Sequence, residues 1–67
     1  MYEEILVLVV PDINNPFFGE ITKGVNLIAR HHACTVFVCD TDEKVKNETR
    51  VLETILREKV RGVIIAP

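Results

Sequence analysis

The sequence predicts an α/β fold: one βαβαβ unit in a three-layer arrangement, with a parallel sheet of strand order 2-1-3 between its helices. Three observations lead there. The run Ile5-Leu6-Val7-Leu8-Val9-Val10 is aliphatic throughout and does not alternate. Such a strand is buried on both faces, as in parallel sheets covered by helices on each side. Two further short apolar runs, Thr35 to Cys39 and Val63 to Ala66, follow at helix-length intervals. The segments between them carry apolar residues spaced by three and four, the period of a helical face. Strand and helix alternating through short loops imply right-handed crossovers, with the first strand in the middle of one sheet.

Pro11 ends the first strand, because proline has no N–H to give the ladder. Asn15 suits a helix N-cap and Pro16 the first helical position. Phe18, Ile21, Val25 and Ile28 then form one apolar stripe. Gly24 lies beside it. A mid-helix glycine costs up to about 1 kcal/mol against alanine, which a close approach of the helix to the sheet would offset. Arg30, His31 and His32 close the helix, where positive charge complements its dipole. After the second strand, Asp40-Thr41-Asp42-Glu43 reads as a turn of capping residues, and a second helix is expected from about Val45 to Lys59. Its stripe is Val45, Leu52, Ile55 and Leu56, with Glu53 and Arg57 as a surface pair. Gly62 breaks it before the third strand.

Composition sets limits. The chain has 67 residues, 48% hydrophobic and 27% charged, with a formal net charge of −2. Most domains run to about 100–150 residues, so one domain at most is present. There is no basic excess to hold a phosphate backbone, so nucleic-acid binding by this chain itself is excluded. The apolar run from Ile5 is preceded by acidic Glu3 and Glu4 and is too short for a signal segment or a bilayer span. A cytoplasmic location without membrane contact is expected. Cys34 and Cys39 lack CxxC spacing and any neighbouring zinc-type ligands, and are read as free thiols.

The third strand is apolar, and its far side would be an open hydrophobic edge of the kind natural proteins avoid. The chain is therefore expected to be a fragment of a larger α/β domain, or to complete its edge with another copy. Self-association through bare apolar faces follows from the same reasoning.

In open parallel sheets, ligands bind beyond the carboxyl ends of the strands where strand order reverses. Pro11 to Phe18, Cys39 to Glu43 and Ala66-Pro67 project there. The first segment is the informative one: an acceptor (Asp12), two amides (Asn14, Asn15) and two adjacent aromatics (Phe17, Phe18). Pro11, Asp12, Asn15, Phe17 and Phe18 are the candidate ligand-binding residues. Each has a plainer reading. Asp12 fits an Asx-turn, Asn15 a helix cap, and Phe18 the helical stripe, which leaves Phe17 as the better candidate for a ligand face. The loop lacks both the GxGxxG and the P-loop spacing, which disfavours nucleotide phosphates. Adjacent His31 and His32 point in different directions and cannot share a metal. Asp40, Asp42 and Glu43 read as turn and cap residues rather than a magnesium cluster. No nucleophile set has a partner, so neither an enzyme nor a cofactor is expected.

The order V-V-P-D-I-N-N-P-F-F-x-E-I-x-x-G, then T-V-F-V-C-D-T-D-E, then L-R-E-K-V-R-G-V-I-I-A-P resembles the start of the effector-binding domain in the lactose/galactose repressor (LacI/GalR) family. It is similar too to the related periplasmic sugar-binding proteins. The likeness runs along nearly the whole chain in one register. It implies a type I periplasmic-binding-protein fold, two Rossmann-like subdomains around a cleft that holds a sugar or small metabolite. This chain would be the first βαβαβ half of the N-terminal subdomain. Asn15, Phe17 and Phe18 would then approach the effector, and Pro11 would line the cleft. The first helix, second strand and second helix would help form a homodimer.

The sequence departs from the family pattern at turns and caps. Ala33-Cys34 stands where a glycine-containing turn is usual, Val45 where a proline often begins the second helix, and Val60-Arg61-Gly62 for V-D-G. The helix-turn-helix, the hinge and the second subdomain would lie outside these residues, so DNA contact belongs to the full-length protein alone. A repressor fragment is the favoured reading, ahead of a transport receptor. A flavodoxin-like or phosphoacceptor module is a further alternative, but it would need an acid pair at the end of the first strand, where Asp12 stands alone.

Overall fold

β1 (Glu4–Val10) is the middle strand of a three-stranded parallel sheet, with β2 (Cys34–Asp40) on one side and β3 (Gly62–Ile65) on the other. The computed structural model describes residues 4–66; Glu3 and Pro67 lie outside them. Leu8 of β1 pairs with Val38 of β2 and Ile64 of β3, so the sheet order is β2-β1-β3 as the sequence predicts. The non-alternating run in β1 is explained by its position: Val7, Leu8, Val9 and Val10 are all buried, two on each face.

The first crossover is α1 (Pro16–His31). Asn15 caps it from an extended backbone, its side chain accepting the Phe17 N–H, and Pro16 supplies the first helical residue. The helix packs Phe18, Ile21 and Val25 on Leu8 and Val10, joined by Val36 and Ala66. Burial of a side chain the size of Phe18 contributes about 2–3 kcal/mol. The stripe ends differently from the sequence reading. Ala29 is buried, whereas Ile28 is 65% exposed beside Leu27. At about 100° per residue, positions 28 and 29 lie about 50° to either side of the mean direction of Phe18, Ile21 and Val25, so they are the two edges of one stripe and the sheet receives only the edge that carries Ala29. Gly24 is exposed as well, with nothing near the place a Cβ would take, so no close approach to the sheet requires it.

His32 closes α1 through its backbone N–H, and Ala33 takes a left-handed φ of 55° to turn the chain into β2. This is the place where a glycine is usual, and alanine occupies it at a steric cost of about 1 kcal/mol.

The second crossover, α2 (Val45–Arg57), lies over the other face of the sheet, giving the three layers. It is shorter than the reading to Lys59, and Glu58 rather than Gly62 ends it. Its N-cap is Lys44, which offers no capping side chain; the expected cap residues Asp42 and Glu43 instead carry the turn with left-handed φ values of 54° and 57°. No residue of α2 is fully buried. Val51, Leu52 and Ile55 are half-buried, while Val45 and Leu56 of the predicted stripe stand in solvent, Leu56 at 85% exposure. Arg57 donates to the Glu53 backbone carbonyl. A hollow of about 640 Å³ separates α2 from Ile5, Val7, Phe37 and Cys39 on the sheet. Cys34 and Cys39, both half-buried and free, sit at opposite parity on β2. The exposed Glu4–Arg61 pair, at 3.0 Å, closes the amino edge of the sheet.

Candidate functional site

The carboxyl edge of the sheet is ordered by the last carbonyls of β1. Val10 O accepts the Thr41 N–H at 2.9 Å from the β2 side, and Val9 O accepts the Ala66 N–H at 2.9 Å from the β3 side. The exits of all three strands are therefore held together around Pro11. A shallow hollow of about 350 Å³ opens there, lined by Val9, Val10, Pro11, Thr41, Ile65 and Ala66, with Glu43, Val45 and Glu48 at the α2 side.

From Pro11 the loop builds itself by short-range bonds. The Asp12 carboxylate accepts the Asn14 N–H at 2.9 Å, an Asx-turn, and the Asp12 carbonyl accepts the Asn15 N–H at 3.2 Å. The Asn15 side-chain oxygen then accepts the Phe17 N–H at 3.0 Å, and its carbonyl accepts those of Phe18 and Gly19. Proline at position 16 has no N–H. The donors that a helix start would offer an anion are thus already taken. That agrees with the missing phosphate-binding glycines. Among the described residues, these bonds leave unused the Asn15 Nδ2 group, the exposed Asn14 side-chain amide and the outward face of the Phe17 ring.

The five candidate residues separate accordingly. Of the five, Pro11 alone lines the hollow; Asp12 is half-buried in its turn, and Asn15 is exposed. Phe17 is 59% exposed, whereas Phe18 is 8% exposed and belongs to the core with Leu8 and Val10. The two rings meet edge to face, centroids 5.3 Å apart at 70°. Phe18 thus stands behind Phe17 and braces it, an arrangement aromatic pairs favour. The larger hollow under α2 contains none of the five. Among the described residues, no group of three or more His, Cys, Asp or Glu side chains is placed to hold a metal, and no helix is long and apolar enough to cross a membrane.

Two residues at this edge were not singled out in the sequence. Thr41 is only 5% exposed and reaches Val10 O with its hydroxyl as well, at 3.4 Å. Asn47, in the first turn of α2, donates from Nδ2 to the Thr41 carbonyl at 3.0 Å. The available signal was a threonine set among acids directly after a strand, where a hydroxyl can satisfy a strand-end carbonyl.

An open parallel sheet with an amide- and aromatic-bearing loop at its switch point is the architecture of a small-molecule binding domain. The chain belongs to the family described as periplasmic binding proteins and sugar binding domain of LacI family, which matches residues 3–67. It is 40% identical over 58 residues to the ribose operon repressor of Halalkalibacterium halodurans, covering 87% of this chain and 18% of that protein. It is 38% identical over 61 residues to the HTH-type transcriptional regulator DegA of Bacillus subtilis, covering 91% of this chain and 18% of the relative. The HTH-type transcriptional repressor CytR of Escherichia coli K12 is 28% identical over 60 residues, covering 90% and 18%. The chain thus spans about 18% of the length of these curated relatives. No solved structure matches it significantly.

Proposed function

We propose that this chain is the first βαβαβ half of the N-terminal subdomain in the effector-binding domain of a LacI-type transcription regulator. The effector is a sugar or similar small polar metabolite, and the regulator acts in the cytoplasm without catalysis. The observation that carries the reading is the loop after β1, which leaves Asn15 Nδ2 and the Phe17 face free at the switch point while using its backbone donors internally. An amide donor beside an aromatic face suits a hydroxylated ring better than a phosphate. The relatives that match are regulators by name, which favours this reading over a transport receptor. A second subdomain supplies the opposite wall of the cleft, and closure of the two shifts DNA-reading heads carried elsewhere in the full-length protein.

The outer side of α1 (Leu27, Ile28) and the β2 edge (Phe37, Val38) are exposed and apolar, which supports a homodimer through these elements. Calorimetry on the full-length protein with D-ribose, D-xylose, D-glucose and D-galactose tests the effector reading. Binding by at least one sugar is expected, with Phe17→Ala and Asn15→Ala each weakening it by about tenfold, the loss of one good contact. Unchanged affinity in both variants would overturn the assignment of this loop.

A further inference from the structure

We infer that Asn47, acting through Thr41, is a positioning residue for the loop that leaves β1. The inference rests on the reading of that loop as an effector wall, but its geometry stands independently. Val10 is the last ladder residue of β1, and Pro11 has no N–H with which to continue it. The direction in which the chain leaves is therefore set by whatever holds the Val10 carbonyl. Because the Val10–Pro11 peptide is planar, orienting that carbonyl orients the nitrogen and Cα of Pro11, and proline then fixes its own φ. The carbonyl is held by Thr41, through its N–H at 2.9 Å and its hydroxyl at 3.4 Å.

Thr41 is in turn held by Asn47, whose Nδ2 donates to its carbonyl at 3.0 Å. The Lys44 N–H also reaches this carbonyl, at 3.0 Å, and Lys44 caps α2; Asn47 adds the side-chain tie between Thr41 and the first turn of the helix. The turn needs such a tie, since Asp42 and Glu43 are both left-handed, and strained backbone persists where its surroundings over-determine it. Beyond Pro11 the links continue through the Asp12 turn and the Asn15 cap to Phe17. Hydrogen bonds and peptide planes thus connect the first turn of α2 to the ring offered to the effector, with the backbone torsions between Pro11 and Asp12 as the one joint that no hydrogen bond among the described residues bridges.

The test uses the full-length regulator with Asn47→Asp and Asn47→Gln. Aspartate has the same shape but no donor, and a negative charge at the third position of α2 favours the helix itself. Glutamine keeps the donor. Amide hydrogen exchange at Asn14, Asn15 and Phe17 is expected to quicken about fivefold in Asn47→Asp, the size of one hydrogen bond. In Asn47→Gln it should stay near wild type, and exchange at Val7 and Val9 should not change in either. Affinity for whichever of the four sugars binds should fall by a similar factor in Asn47→Asp alone, with DNA affinity in the absence of sugar unchanged. Wild-type exchange at the three loop amides in Asn47→Asp would overturn the inference. A uniform rise across the domain in both variants would overturn it too, by making Asn47 merely structural. A wild-type protein that binds none of the sugars would defeat the effector reading, while the exchange result still decides the positioning role.

Discussion

α1 and α2 cover opposite faces of one sheet, and they are held to it by different means. α1 has an asparagine cap, a proline at its first position and two buried residues, and it builds the cluster of Leu8, Val10 and Phe18. α2 has no side-chain cap and no buried residue, and a hollow of about 640 Å³ lies beneath it. The first crossover is complete in its own residues. In the second, the apolar residues Val51, Leu52 and Ile55 are only half-buried. The candidate loop belongs to the complete half: its cap and its aromatic brace are both made by α1.

This contrast can be broken by experiment, most forcefully in the core. Leu8 has no exposed surface, so Leu8→Ala should destabilise the full-length protein by about 2–5 kcal/mol in urea unfolding. Leu56→Ala on α2 should stay within about 0.5 kcal/mol; a loss comparable to that at Leu8 would mean that the outer face of α2 is covered in the full-length protein. The caps give the next effect in size. Asn15→Ala should cost about 1 kcal/mol, whereas Lys44→Ser should add several tenths to about 1 kcal/mol by supplying the missing cap. The exposed Lys44–Asp42 pair lost in that variant contributes little. A destabilised Lys44→Ser in thermal melts would refute the view of α2 as under-capped. The smallest effect concerns the turn between α1 and β2. Ala33→Gly should raise stability by about 0.5–1 kcal/mol, because glycine takes the left-handed φ without strain. A loss of stability would show that the alanine methyl makes a contact worth more than the strain.

What the sequence disclosed depended on how far each feature relied on neighbours. The aliphatic run of β1 announces burial on both faces because nothing polar interrupts it. Asn15-Pro16 announces a helix start because capping is decided within a few residues. The strand order follows from the double burial of β1 together with right-handed crossovers, which put it in the middle with a helix on each face. Ile28 misled because it and Ala29 are opposite edges of one stripe, and which edge meets the sheet depends on how the helix is docked. Asp42 and Glu43 have the composition of caps, but the turn after β2 places Lys44 at the helix start. Asn15 and Phe17 were legible as site candidates through their residue types. The separation of Phe17 from Phe18 was only partly so, because it depends on which ring the sheet receives. Thr41 carried only the weak sign of a threonine among acids just after a strand, and Asn47 carried none, since its bond reaches a backbone carbonyl.

The two cysteines of β2 have a chemical consequence. They lie five residues apart on an extended strand, about 16 Å at 3.3 Å per residue, and their side chains leave opposite faces of the sheet. A disulfide requires Cα atoms within about 7 Å. Oxidation therefore cannot close a bridge within this unit. Each thiol can react only from its own face of the sheet, independently of the other.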